Sequence, residues 1–381
     1  MTVASQSIGR LSPPHGEGAG GAEGGSGPAH KPGSGSRRLK DVALFARQLS
    51  MLVRTGTPLA DALGAMERQL QEGSFREVVL DLRRQIEEGS TLAGAMTHHP
   101  AHFNSVCRSL IAAGESSGRL DAMLDRLSSL LHQQLQVRRT VVGALIYPGL
   151  LMIIGVTVVI VMLWFVLPRF EGLFQTLNAP LPPSTAFLLS VSEILRSRWW
   201  LFAAILALVV LLARVALSTE RGRQRLDATL VWMPAVGKVT RSLLTARVAR
   251  VLGVLLDSRI PLLDALDLTR DSTGNSLFFK LIADSEEAVA RGENLSAVLA
   301  ASPLISSYFS EALRHGEDSG QMSPVLLDMA DFMDEENEVL VSMLSKLLEP
   351  AMLIVLGLVV ATIALSLFMP LFDLTSLTHG G

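Results

Sequence analysis

The chain has 381 residues, 49% of them hydrophobic and 18% charged, with a formal net charge of −3 and a mean hydropathy of +0.38. That length allows two or three domains, and the composition leans toward a membrane protein with sizeable soluble parts. The small net charge argues against a nucleic-acid binder, which would concentrate basic residues in a stripe, and the lone Cys107 argues against a disulfide framework or zinc site.

In chain order, residues 1–38 are dominated by Gly, Ser, Pro and Ala and read as a disordered tail, too poor in large apolar side chains to offset ordering entropy. They lack the basic start, apolar core and cleavage site of a secretory signal. Residues 39–146 read as a helical domain. In LKDVALFARQLSMLVR, Val42, Phe45, Leu49, Leu52 and Val53 recur at helical spacing and share one face. Thr57 before Pro58 reads as a cap with a proline in the first helical turn. Gly73, Gly89 and the polar turn in AGESSGRL (113–120) separate further helical stretches, and no segment alternates like a strand. The pattern predicts an antiparallel bundle of about six helices, the last starting near Leu120 and running on toward the membrane.

The first span, 147–168, contains GLLMIIGVTVVIVMLWFVL between Pro148 and Pro168, an uncharged run whose helix would match the roughly 30 Å of a bilayer core. A loop at 169–198 leads to a second span at 199–217, where Arg214 can snorkel to the headgroups. A second helical domain follows at 218–346, then a third span at 347–372 with AMLIVLGLVVATIALSLFM between Pro350 and Pro370, then a tail at 373–381. Arg138, Arg139, Arg214, Arg221, Arg223, Arg225, Lys238 and Arg241 flank the spans on the domain side. The positive-inside rule therefore places both large segments in the cytoplasm and the 169–198 loop and C-terminal tail in the periplasm. Trp164, Phe165, Phe170, Trp199, Trp200, Phe368 and Phe372 fall at the opposite ends, as an outer aromatic belt would.

The two large segments are copies. ARQLSMLVRTGTPLADAL (46–63) and ARVLGVLLDSRIPLLDAL (249–266) share nine identities in eighteen positions at an offset of 203. After a one-residue deletion the offset of 202 pairs Gly114 with Gly316, Glu115 with Glu317, Gly118 with Gly320, Pro148 with Pro350 and Gly155 with Gly357. Domain and span are thus duplicated together, and the middle span returns the chain to the cytoplasm.

GESSG fits the serine-hydrolase pattern G-x-S-x-G, but that chemistry needs a strand-to-helix turn, and the second copy, GEDSG, puts Asp318 at the nucleophile position. No phosphate loop is present, since Gly237 and Lys238 precede Val239. The histidines of HHPAH (98–102) are read as exposed loop residues, because the second copy has ASPLI there. Asp61, Glu115, Asp264 and Glu317 have two readings: Ca²⁺ ligands if packing gathers them, or helix-terminal and local partners. Gly155 and Gly357 mark contact faces between spans or between protomers. Glu349, at the mouth of the last span, stands where the first copy has Tyr147.

With its two Gly-Glu turns, IYP and LEP opening the outer spans, and proline followed closely by phenylalanine closing both, the stretch from Leu39 to Leu374 resembles the F-type inner-membrane platform proteins of type II secretion systems, relatives of the type IV pilus platform proteins. The resemblance implies an all-α, oligomeric, non-enzymatic protein of the bacterial inner membrane. Its implied partners are a cytoplasmic secretion ATPase, other inner-membrane platform proteins, pilin-like subunits and membrane lipids, with no nucleic acid. It also implies calcium at positions matching Asp61 and Glu115, where Arg119 replaces the family's polar residue, and at Asp264, Glu317 and Gln321. A pilus or competence platform is the near alternative. A transporter is the alternative of another class, although the spans carry little beyond Thr157, Thr362 and Ser366 for a midplane site.

Overall fold

A computed structural model of the protein describes residues 34–169, 183–234 and 236–378; these form helices joined by short turns, with no strand among them. Most of the 1–38 tail, Phe170 with the first part of the 169–198 loop, and residues 379–381 lie outside the described residues. The N-terminal copy comprises α1 (Ser34–Arg54), α2 (Leu59–Gln69), α3 (Ser74–Glu87), α4 (Leu92–Met96), α5 (Ser105–Ser117) and α6 (Leu120–Val161), which passes into a π-helical turn at Met162–Val166. Then come α7 (Pro183–Ser197), α8 (Trp199–Ser218) and α9 (Glu220–Trp232). The C-terminal copy repeats the order with α10 (Val236–Asp257), α11 (Leu262–Thr273), α12 (Ser276–Ala290), α13 (Leu295–Ala300), α14 (Ser307–Asp318) and α15 (Met322–Thr378).

Side-chain caps fix many of these starts. Asn104 accepts from Cys107 N at 2.9 Å, Thr91 from Gly94 N at 3.1 Å and Asn275 from Leu277 N at 3.0 Å, each pairing an amide that has no partner within its helix. Thr57 does not cap α2 as expected. Pro58, extended at ψ 142, holds the N-cap position, its carbonyl accepts from Ala62 N at 2.9 Å, and the Thr57 hydroxyl turns to that of Thr55. Pro261 does the same for Ala265 in the second copy.

Within the first copy Phe45 meets Phe75 edge-on, 5.9 Å between centroids, and Phe103 at 5.7 Å. In the second, Phe278 and Phe309 are fully buried. Burial of one such ring contributes about 1.5–3 kcal/mol, so these rings anchor their bundles. Cys107 is buried where the second copy has Phe309, and Phe45 where it has Val248, so volume is exchanged between positions and the fold is kept. The two copies share one core: α5 and α6 pack on α10 and α11, and α6 lies alongside α15.

The last helix of each copy continues as its apolar helix. Leu120–Arg169 and Met322–Ser366 are each long and apolar enough to cross a membrane. Ile153, Ile354 and Leu358 are 69–70% exposed along them, an apolar surface suited to lipid. A third crossing requires α7 and α8 to be counted together, and they meet at a 76° bend. Three expectations need correction. Residues 183–197 of the 169–198 loop are helix α7. Pro370 does not end the helix that holds it: α15 runs through it to Thr378, so most of the 373–381 tail is helical. Residues 34–38, expected to belong to a disordered tail, are the start of helix α1.

Pro148 and Pro350, at the mouths of the expected outer spans, sit inside continuous helices. A proline interrupts one backbone bond, and a continuous helix survives where neighbours satisfy the freed groups. The end of the first span shows how. Within the π turn Leu167 N bonds to Met162 O, Pro168 has no N–H to give, and the buried Ser192 hydroxyl of α7 donates to the Leu163 carbonyl. A small cluster of Leu167, Ile363, Leu188 and Leu189 packs there.

Candidate functional site

The duplicated polar motif is a helix end in which each residue has a separate task. Gly114, Glu115, Ser116 and Ser117 are the last turn of α5, not a free turn, and only Gly118 leaves the helix, at φ 66. Gly118 N bonds to Glu115 O and Arg119 N to Gly114 O at 2.9 Å, the paired bonds of a Schellman motif. In the second copy Gly320 N bonds to Glu317 O and Gln321 N to Gly316 O at 2.8 Å. The positive φ of Gly118 and Gly320 favours glycine there. Gly114 is needed for proximity: a Cβ on it would stand 3.0 Å from Met123 Cβ, and one on Gly316 would stand 3.1 Å from Val325 Cβ. The following helix therefore crosses directly over the first glycine.

The glutamate ties this helix end to a distant one. Glu115 accepts from Leu92 N at 2.5 Å and Ala93 N at 3.1 Å, and Glu317 accepts from Leu295 N at 2.8 Å, Ser296 N at 3.0 Å and the Ser296 hydroxyl. Both carboxylates thus sit on the N-termini of α4 and α13, where free amides and the helix dipole favour negative charge. Asp61 and Asp264 lie exposed in the first turns of α2 and α11. Among the described residues no group of three or more His, Cys, Asp and Glu gathers as metal ligands. Ser116 and Ser117 donate to the Ala113 carbonyl, and their place at a helix C-terminus is unlike a hydrolase elbow.

Packing of the copies brings the first motif to the second copy's α10–α11 corner. Ser116, Ser117 and Arg119 line a groove opposite Arg259, Pro261 and Asp264. Beside it Arg126 pairs with Asp257 at 2.5 Å and donates to the Asp257 carbonyl at 2.7 Å and the Ser258 hydroxyl at 3.2 Å. The histidines are not all loop residues facing water. His98 is exposed, but His99 bonds to Asp81 at 2.8 Å and His102 is half-buried against Phe75. The His99 bond holds Asp81 below the usual carboxylate range, and burial pushes His102 down.

At the mouth of the spans, Tyr147 and Glu349 meet as a 3.0 Å hydrogen bond, so two residues equivalent in the repeat touch each other. A Cβ on Gly155 would stand 3.2 Å from Leu356, which places Gly155 on the contact face between the long helices. Gly357 faces open space, so the two glycines part company.

One group is absent from the sequence reading. Arg250, 7% exposed, bonds to Asp331 at 2.8 Å and Asp334 at 2.6 Å, tying α10 to α15. Burial holds the Asp334 carboxyl above its ordinary range against the pull of Arg250. The available signal was an arginine among apolar residues in ARVARVLGVLL, where a helix buried nearly all round needs a carboxylate for any cation it carries.

Comparison with known proteins points the same way. The family described as "Type II secretion system (T2SS), protein F" matches residues 45–168 and 248–370, one match per copy. The type IV pilus assembly protein PilC of Thermus thermophilus is 33% identical over 338 residues, 88% of this chain and 83% of the relative. PilC of Myxococcus xanthus is 31% identical over 343 residues, 90% and 82% of the two chains. The type II secretion system protein F of Vibrio cholerae is 31% identical over 338 residues, 88% and 83%.

Proposed function

The chain belongs to the type II secretion system protein F family, and from that premise we propose that it is the inner-membrane assembly platform of a type II secretion system, coupling a cytoplasmic ATPase to the assembly of pilin-like subunits and so to protein export. One observation carries this reading: each copy is a helical domain whose last helix continues, without a break at the internal proline, into an apolar helix long enough for a bilayer. Displacement of such a domain is transmitted along a rigid helix to the membrane, which suits a coupler and needs no catalytic group. The family is a secretion-system family rather than an enzyme family.

In this proposal each copy is a cytoplasmic six-helix bundle (39–146 and 218–346), three helices span the membrane (147–168, 199–217 and 347–372), and the 169–198 loop and C-terminus are periplasmic. Basic residues on the domain side of the spans support that orientation. Pilus assembly is the second reading, favoured by the two PilC relatives, and a competence platform is its variant. The platform acts as an oligomer with other inner-membrane components. Deleting the gene and assaying exported protein and surface filaments separates these: loss of export alone supports secretion, loss of filaments alone supports a pilus. Association of the reconstituted chain with its ATPase supports coupling, and no association in any nucleotide state removes it.

Calcium at Asp61, Glu115, Asp264, Glu317 and Gln321 remains a proposal carried by chemistry alone. Amides engage both oxygens of each glutamate, so an ion there would draw on remaining lone pairs. A calcium titration that leaves the melting temperature unchanged removes it.

A further inference from the structure

The duplication gives every surface of one copy a counterpart on the other, and two of these counterparts differ in whether anything covers them. In the N-terminal copy, Leu130, Val137 and Val141 of α6 wall a groove whose other side is closed by Leu243, Leu244 and Arg247 of α10, from the C-terminal copy. At the offset of 202 those three wall residues become Phe332, Val339 and Met343. With Tyr308 they line a groove of about 670 Å³ on the C-terminal copy, formed within that copy alone. All four side chains are 44–62% exposed, and no helix of the N-terminal copy lines this groove among the described residues.

The helix that does the covering shows the converse. The counterpart of α10 is α1, and Leu44 and Met51, at the positions of Arg247 and Val254, stand 52% and 47% exposed on it. Charge completes the match. The pair that locks the internal contact, Arg126 with Asp257, has as counterparts Asp328 and Arg54, the same pair with its signs exchanged. Both are exposed, and neither forms a salt bridge among the described residues. Glu335 and Glu336 replace Gln133 and Gln134 in the open groove, and Arg47, also exposed, rises from α1 one helical heptad before Arg54.

We propose that the α1–α2 face of a second copy of this chain docks in the open groove of the C-terminal copy, repeating between molecules the contact that joins the two copies within one. Such a contact uses different faces on the two partners, so it links molecules head to tail into a ring or an open row. Apolar side chains supply the contact area, and the exchanged charges set register and partner choice. The inference rests on the duplication and not on the secretion reading.

The test mixes two differently tagged chains, Arg54→Cys and Asp328→Cys, in liposomes under mild oxidation; Cys107, buried with its thiol pushed up to about 12, stays silent. The expected result is a mixed disulfide dimer that neither variant forms alone. Absence of the mixed dimer, homodimers formed as readily as mixed ones, or a disulfide closing within single chains of the double variant would each overturn the proposal. As a second measurement by light scattering, Arg54→Asp weakens self-association by about tenfold or more and Arg54→Asp with Asp328→Arg in one chain restores it. A double variant as dissociated as the single one contradicts the docking, since both positions are exposed and the fold does not depend on them.

Discussion

The two copies use the same helix order and the same helix-end chemistry, yet hold their long helices differently. In the C-terminal copy, buried Arg250 with Asp331 and Asp334 fastens α10 to α15. Its counterpart Arg47 is exposed on α1, beside Ser129 and His132 where the carboxylates would be. The fold therefore does not require the ion cluster; apolar packing and the Gly-Glu helix ends build both bundles, and the cluster is an addition to one of them. It joins the last helix of the second bundle more firmly to its neighbour than the first bundle's last helix is joined to α1.

That contrast breaks or sharpens under substitution. Arg250→Ala leaves two carboxylates in a partly buried site and costs about 3 kcal/mol, whereas Arg47→Ala costs about 0.5 kcal/mol or less. Denaturant unfolding of the detergent-solubilised chain, with hydrogen exchange assigned to each copy, measures both, and equal losses would erase the difference. The helix-end glutamates come next. Glu317→Ala removes three hydrogen bonds and Glu115→Ala two, for about 2 and 1.5 kcal/mol. Faster exchange should be confined to the Leu295 and Ser296 amides in one case and Leu92 and Ala93 in the other.

Acid separates the copies as well. The folded pKa of His102 lies below its ordinary 6.5, so as pH falls through that value the unfolded chain takes up the proton first and the N-terminal copy loses stability. Asp81, lowered, adds to the loss nearer pH 4, where Asp41, raised by burial, opposes it. Asp334 is raised above 3.8, so the folded C-terminal copy holds its proton more tightly and gains as pH falls toward that range. Between pH 7 and 5.5, exchange should become faster in α3–α5, and His102→Gln should abolish the rise. A local backbone effect is expected at a corner. Arg259 has φ 60 where its counterpart Gly56 has φ 82, so Arg259→Gly should stabilise the chain by about 0.5–1 kcal/mol, read as a raised Tm.

Much of this architecture was legible in the sequence, for a physical reason. Duplication made prolines, glycines and glutamates recur at one offset, and uncharged runs between prolines marked the apolar helices. The roles inside the repeat were less legible. That Glu115 reaches 23 residues back to cap α4 depends on packing, which no local pattern encodes. Arg250 carries a charge that a pattern reading assigns to water. Pro370 read as a stop because proline breaks helices in water, and α15 nevertheless runs through it.

The central claim is that both copies lie on the inner side of one membrane, joined through it by their continuous last helices. Single cysteines at Gln71, Ala301 and Arg198, all exposed, test it directly with a membrane-impermeant maleimide on intact spheroplasts, Cys107 being buried. The account predicts labelling of Arg198→Cys alone, with Gln71→Cys and Ala301→Cys reacting only after lysis. Labelling of either bundle position in intact spheroplasts would contradict it.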